Sequence, residues 1–306
     1  MSAFPITGPG EGRFFAYAQE RYRILLRRRS GLPRPWTQDS ILQTYRFCNV
    51  FREDDTTTRW VREKLTLKGY QERWLGALLI ARWFNRVETL ARLLPPKGEP
   101  PPYYERNLFY NWSAIDTWKD AVRDRLNGVH PLVTGAYIIK TPDGMSKLEG
   151  LLWCLGEALP KTERMQELIQ PGITTLREVH ERLTRFPYLG VFMAYEIVTD
   201  ARHVLLREAP DIFRWASPGP GAARGLGRII AGDPNLYQYN RRRDAEALQE
   251  GMRTLLDRSR SSEFWPQEWP AWEMREVEHT LCEFDKFERV RLGEGAPRQR
   301  YNGQGR

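Results

Sequence analysis

Residues 175–203 constrain this 306-residue chain more than any other stretch. Thr175-Leu-Arg-Glu178 reads as a capping box, and Leu176, Val179 and Leu183 follow at helical spacing, so a helix should run from there toward Pro187. Pro187 stops it, Gly190 supplies a permissive turn, and a second helix begins at Val191 with Ala194, Val198 and Ala201 on its stripe. The result is a helical hairpin whose second N-terminus offers backbone amides to an anion. Glu196 and Asp200, four residues apart, share a face of that second helix. With the helix N-terminus they make a candidate reaction site; the plainer reading is an ordinary turn beside a solvated carboxylate face.

Composition narrows the partners. Hydrophobic residues make up 41% and charged residues 28%, which fits a globular chain with ample material for a core, and the net charge of +8 favours a polyanionic partner over an acidic-surface enzyme. Eleven Trp supply either core mass or stacking surfaces. The three Cys, at 48, 154 and 282, are far apart and odd in number, against a disulfide framework, and no Cys-x-x-Cys pair suggests zinc. No metal or other cofactor is expected, and the expected setting is a reducing cytoplasm. No apolar run is long enough to cross a bilayer and the first residues lack a signal layout, so a membrane is not expected as a partner.

Taken in order, residues 1–12 are Gly/Pro-rich and expected to be loose. From Arg13 a helical face of Phe14, Phe15, Ala18, Tyr22, Leu25 and Leu26 ends in Arg27-Arg28-Arg29, which either complements the helix dipole or contacts phosphate. Pro33, Pro35 and Trp36 make 32–39 a rigid extended loop, with Trp36 a candidate DNA contact. Tyr45-Arg46-Phe47-Cys48-Asn49-Val50-Phe51-Arg52 alternates aromatics with Arg46, Arg52 and Asn49, a set that suits a flipped nucleotide, although core aromatics with salt-bridged Arg are the commoner origin of such a string. Residues 70–94 read as one long helix with Asn85 and Glu88 as inward polar groups. The Pro-rich run 95–102 is the candidate sub-boundary of an otherwise single helical domain spanning 13–292.

Ser113 should cap the next helix. Lys140 and Lys147 flank a Pro-Asp-Gly turn that could hold a phosphate, yet no Gly-x-x-x-x-Gly-Lys-Ser/Thr run exists. Helices follow at 145–159 and 163–169. Asp211 to Leu226, with Gly219-Pro220-Gly221 and Arg224, is a glycine-rich loop feeding a helix and gives a second set of free amides. Arg241-Arg242-Arg243 opens a helix to Leu256, the last helix carries Val277 to Lys286, and 293–306 is a basic tail. Strand signals are few, so the fold class is mainly α. The Pro187/Gly190 connection is the helix-hairpin-helix pattern, which makes those two residues candidate contacts for a nucleic-acid backbone.

Five segments together resemble a known family: Trp36-Thr37 with Asp39, Tyr45-Arg46-Phe47 with Asn49-Val50, the Pro187/Gly190 hairpin leading to Thr199-Asp200, Gly219-Pro-Gly221-Ala with Gly225, and Leu281-Cys282-Glu283-Phe284-Asp285-Lys286. The family is the α-glutamyl/putrescinyl-thymine pyrophosphorylases, or amino acid:DNA transferases, with the related helical domain of 5-hydroxymethyluracil DNA kinases; they are encoded largely by bacteriophages. The resemblance covers roughly Phe14 to Tyr301. It implies a DNA glycosylase-like helical fold and a reaction on DNA carrying 5-(pyrophosphoryloxymethyl)uracil, in which an amino acid or polyamine displaces pyrophosphate at the C5 methylene. A 5-hydroxymethyluracil DNA kinase would be the functional partner, and the setting the host cytoplasm.

Such a reaction needs a base taken out of the stack, a neutralised pyrophosphate and a proton acceptor for the amine. Arg46, Arg52, Lys140, Lys147, Arg224 and the amides after Gly190 and Gly221 suit the phosphates, and the Asn49 amide could pair with the edge of the flipped base. Asp200 is the first choice of base and Glu196 the second; Asp211 competes, since its distance from the hairpin is closer to the glycosylase pattern. Cys48 or Cys282 could act as a covalent nucleophile, against the commoner reading of a lone Cys as a small core residue. Phe192 stands where lyase-type glycosylases carry a nucleophilic Lys, which argues against strand cleavage. The rival readings are a monofunctional glycosylase for a modified pyrimidine and a non-catalytic DNA-binding partner of the kinase.

Overall fold

The computed structural model describes residues 9–66, 71–94, 107–135 and 138–301. They form two compact units: Met1–Asp55 with Phe213–Arg306, and Thr56–Ile212, which is inserted between those two segments. The first unit contains α1 (Pro9–Arg29), α2 (Ser40–Thr44), α10 (Pro220–Ala231), α11 (Arg242–Arg258) and α12 (Met274–Arg291). The second contains α3 (Thr56–Leu65), α4 (Trp74–Phe84), α5 (Val87–Leu93), α6 (Ile115–Leu126), α7 (Lys147–Glu167), α8 (Leu176–Leu183) and α9 (Val191–Ala201). Among the described residues there is no strand; Tyr45 and Arg300 form one isolated antiparallel bridge. No described helix is long and apolar enough to cross a membrane.

In the first unit α12 lies at the centre. Met274, Val277, Leu281 and Phe284 are fully buried, and Phe14 of α1 meets Phe284 edge-on at 5.6 Å and Trp272 at 5.8 Å. Trp265 continues the cluster, 5.1 Å from Trp272 and 5.7 Å from Tyr22. These tryptophans are core mass. Helix α10 packs against α12 through glycines: a Cβ at Gly225 would lie 2.3 Å from the Leu281 carbonyl oxygen, and one at Gly221 would lie 2.3 Å from Cys282 Sγ. The glycine-rich string is therefore a helix-packing surface as well as a loop. Helix α1 starts at Pro9, so 9–12 are helical rather than loose; residues 1–8 and 302–306 lie outside the described residues. The described part of the tail is tied to Thr44 and Arg46 by backbone hydrogen bonds.

In the second unit α4 is the apolar centre. From Leu75 to Phe84 every residue is buried, as expected of a helix that is hydrophobic all round. It stops at Asn85, whose φ of 45° is left-handed, so the expected single helix over 70–94 is two, α4 and α5. Asn85 is buried, as its place in the apolar run suggests, but Glu88 is exposed. Helix α7 is one element where two were expected, with Pro160 inside it; burial of Leu151, Leu152, Leu155, Leu159 and Met165 along one face outweighs the lost hydrogen bond. Helix α6 begins at Ile115 after Ala114, without the expected Ser113 cap. The Pro-rich run 95–102 lies outside the described residues, and the unit boundaries fall elsewhere, at 55/56 and 212/213.

Helices α8 and α9 form the expected hairpin, with the Thr175/Glu178 capping box in place. His180 on α8 bonds through Nε2 to the Val191 carbonyl at 2.9 Å, which clips the two helices together. The turn is not made by Gly190, whose φ is −71°; Tyr188 takes the left-handed conformation, at φ 60°. Gly190 instead leaves open space at the N-terminus of α9, with no atom within 4 Å of where its Cβ would sit.

Candidate active site

Helix α12 carries an unusual load of buried polar groups: Arg275, Glu276, Glu278, His279, Thr280, Glu283, Asp285 and Glu288 are all buried. A buried charge is tolerated only when paired, and these are. Asp285 is fully enclosed and accepts from Arg224 Nε at 2.8 Å and Arg228 Nε at 3.0 Å. Glu288 takes Arg291 at 2.7 Å, Glu276 takes Arg275 at 2.9 Å, and Glu278 accepts from the Gly219 amide at 3.2 Å.

The middle of α12 differs in bringing two thiols beside an ion pair, with Glu283 buried and Cys48, Cys282 and Lys286 half-buried. Glu283 accepts from the Cys48 amide at 3.0 Å through one oxygen and from Lys286 Nζ through the other. Cys48 and Cys282 are both partly exposed free thiols, and Cys282 Sγ abuts Gly221 at the start of α10. That helix is capped by Gly219, which has no side chain to satisfy the first amides. The segment bearing Cys48 is fixed by Arg21, which donates to the Phe47 carbonyl at 3.0 Å and the Cys48 carbonyl at 3.1 Å. Tyr17 Oη is buried beside this cluster with no hydrogen-bond partner among the described residues.

Electrostatics set the protonation states. Burial, reinforced by Glu283, pushes the Cys48 thiol well above its ordinary range; burial pushes Cys282 up to about 12 against the pull of Lys286. Both are therefore thiols at neutral pH. Burial raises Glu283 too, but the Lys286 ammonium, His279 and the bonds from Lys286 and the Cys48 amide outweigh it and hold the carboxyl below its usual value. Lys286 is lowered by burial and raised further by Glu283, with a net rise. The expected consequence is slow alkylation of Cys282 by iodoacetamide at mildly alkaline pH, with the rate climbing toward pH 12. Labelling of Cys282 as fast as a free cysteine near pH 8.5 would contradict these protonation states.

Helices, glycine contacts and paired carboxylates thus bring Cys48, Gly221, Cys282, Glu283 and Lys286 together within one unit, in which Arg224 of α10 pairs with Asp285 of α12. Over residues 11–296 the chain matches the family model described as the helical domain of 5-hmdU DNA kinase. It belongs to that family. A relative is the 5-hmdU DNA kinase of Bacillus phage SP10, 27% identical over 235 residues, which cover 70% of this chain and 35% of the relative. The chain thus spans about a third of the length of the curated relative it matches. No solved structure matches.

The other expected residues are engaged locally or exposed, each within its own unit. Asp200 and Glu196, 1% and 2% exposed, face Arg82 of α4. Arg82 donates Nε and Nη2 to the two Asp200 oxygens at 2.5 and 2.6 Å, Nη1 to Glu196 at 3.2 Å and Asn85 at 3.1 Å, and Nη2 also to Thr58 at 3.0 Å. All five guanidinium donors are used. Asp211 accepts from the Leu176 and Arg177 amides at 2.7 and 3.1 Å and so caps α8. Asn49 donates to the Asp54 carbonyl at 3.1 Å, and buried Arg52 pairs with Asp55 at 3.5 Å. Arg46 is exposed and stacks over Tyr301.

Lys140 and Lys147 line an open pocket of about 580 Å³ that also includes Thr141, Met145 and Tyr188 of the hairpin turn. Lys147 bonds the Ile139 carbonyl at 2.8 Å. Pro187 and Gly190 sit at the hairpin tip, where Tyr188, Val191 and Phe192 are exposed. No group of His, Cys, Asp and Glu suited to a metal is found among the described residues. Arg82 escaped the sequence reading, although one charge inside the apolar run from Leu75 to Phe84 was the available signal.

Proposed function

We propose that this chain acts in DNA thymine hypermodification as an amine transferase. An amino acid or polyamine nitrogen attacks the C5 methylene of 5-(pyrophosphoryloxymethyl)uracil in DNA; the methylene C–O bond breaks, pyrophosphate leaves with its electron pair, and the nitrogen gives up a proton. Membership of the 5-hmdU DNA kinase helical family supports the substrate class. The single observation that carries the reading is the α10/α12 cluster, where an uncapped helix N-terminus, Arg224 and Lys286 supply positive charge for a departing anion beside the Glu283 carboxylate.

Among the carboxylates, Asp200 and Glu196 can take a proton only after Arg82 releases them, and Asp211 only by giving up the α8 amides. We assign the proton acceptor to Glu283, whose partner Lys286 is 32% exposed and can turn away from it, unlike Arg82, with Lys286 and Arg224 facing pyrophosphate. The protonated thiols of Cys48 and Cys282 line the site rather than attack. The hairpin tip with Pro187, Gly190, Lys140 and Lys147 contacts the DNA backbone.

Incubation with DNA bearing the pyrophosphorylated base and a mixture of amino acids and polyamines, followed by mass spectrometry of nucleosides, tests the assignment. Amine-substituted thymidine with released pyrophosphate is the expected result. Free base with abasic sites would replace it by a glycosylase. Unchanged nucleosides despite tight DNA binding would favour the DNA-recognition role that a one-third-length match to a kinase also allows.

A further inference from the structure

The first unit carries a continuous row of stacked arginines and aromatic rings. The Trp36 ring holds Arg28 at 5.4 Å and Arg34 at 4.6 Å. Arg34 also lies over Tyr301 at 5.0 Å, and Arg46 joins the same ring at 5.6 Å. Beside them Arg300 covers Tyr45 at 5.2 Å. The row draws on the end of α1, the 32–39 loop, the 44–46 segment and the tail. The tail is held in register by the Arg46 amide donating to the Gln299 carbonyl at 3.1 Å and the Tyr301 amide to the Thr44 carbonyl at 3.0 Å.

Arg28, Arg34, Arg46 and Arg300 are all exposed. Among the described residues none of the four has a carboxylate within ion-pair distance, whereas their neighbours do: Arg27 pairs with Glu20 and Arg29 with Asp54. Gathering unneutralised cations costs self-repulsion, which a polyanion relieves. A guanidinium held over a ring face still has N–H groups to offer to phosphate oxygens. Stacking also fixes side chains that would otherwise lose rotamer freedom on binding. A free small anion needs one or two such guanidiniums; a row of them fits a repeating phosphodiester.

We propose that this row grips the DNA backbone, with Arg28, Arg34 and Arg46 taking phosphates of one strand and Trp36 and Tyr301 holding the guanidiniums in place. The proposal rests on the DNA-directed reading above, but it needs no modified base. Its test is therefore binding of a short, labelled, unmodified duplex across a salt series, followed by fluorescence anisotropy. The triple variant Arg28→Gln/Arg34→Gln/Arg46→Gln is expected to bind about 10-fold or more weaker, and its log affinity against log salt slope should fall by about 2–3, near 0.9 for each phosphate that is no longer neutralised.

Trp36→Leu with Tyr301→Leu keeps the charges, so it should weaken binding by a few-fold with the slope unchanged. Wild-type affinity and slope in the triple variant would overturn the proposal. A chain that binds duplex through this row yet yields no amine-substituted nucleoside would refute the transfer reaction alone. Transfer by a triple variant with unaltered DNA binding would refute the row alone.

Discussion

Asp200→Asn is expected to destabilise the second unit by about 3–5 kcal/mol, the usual cost of breaking one side of a buried, hydrogen-bonded ion pair. Asp200 and Arg82 have side chains only 1% and 3% exposed, so water cannot replace the lost charge. The amide would turn an N–H₂ group toward guanidinium donors at one of the two positions now 2.5 and 2.6 Å away. Glu196 would then be left as the acidic partner of Arg82, at 3.2 Å. Against a typical domain stability of about 5–15 kcal/mol, the change is large. It should appear as a lower urea midpoint with an unchanged slope. Arg82→Lys should lose much of the same stability, because an ammonium cannot span both oxygens of Asp200 and also reach Thr58 and Asn85. A midpoint shift worth under about 1 kcal/mol, together with loss of amine transfer, would return the proton acceptor to α9.

For Glu283→Gln the expected loss is in rate: amine transfer should fall by about 10²–10⁴-fold, the range for removing a positioned general base. Stability should change far less, because the Lys286 side chain is 32% exposed and can turn its ammonium to water. Binding of unmodified duplex should not change, since no phosphate contact is assigned to Glu283. A second readout separates a chemical role from a packing one. Glu283 raises both Cys48 and Cys282, so its neutralisation should move their alkylation profiles to lower pH.

The Glu283/Lys286 pair also has a defined pH window. The depressed Glu283 contributes stability that is present above its unfolded pKa of about 4.3 and is lost as pH falls through the lower folded value. The raised Lys286 contributes stability that is present below about 10.4 and is lost as pH rises through its higher folded value. Between those limits the pair stays ionised and transfer should not depend on either group's titration. A transfer rate that rose from pH 6 to 9, with the Glu283→Gln variant showing the same rise, would assign that dependence to deprotonation of the amine substrate.

Local chemistry made the helical hairpin legible. A Thr-x-x-Glu box, a Pro and a run of apolar residues act within a few positions, and the capping box, α8 and α9 appear where those signals fall. The motifs around Cys48, Gly221, Arg224 and Glu283 were legible as strings, and the resemblance they carry leads to the family that the match over 11–296 shows. What those strings could not express was partnership. Glu196 and Asp200 share a helix face as their spacing requires, but whether that face meets solvent, a substrate or an arginine depends on α4, more than a hundred residues earlier. Likewise Pro160 reads as a helix end until the buried face of α7 is seen to continue through it.

By itself, then, the sequence determined a mainly helical chain, the hairpin and its cap, the basic character, and the glycine and cysteine motifs, because periodicity, capping and charge act over one or two turns. The tertiary structure alone decided that Asp211 caps α8, that Arg82 occupies Asp200, and that Cys48 and Glu283, 235 positions apart, share a hydrogen bond. It also decided that Arg28, Trp36, Arg34, Tyr301 and Arg46 form one row. The physical reason is range: a hydrogen bond or a stacked cation acts over a few ångströms of space, and which residues come within that reach is fixed only when the helices pack.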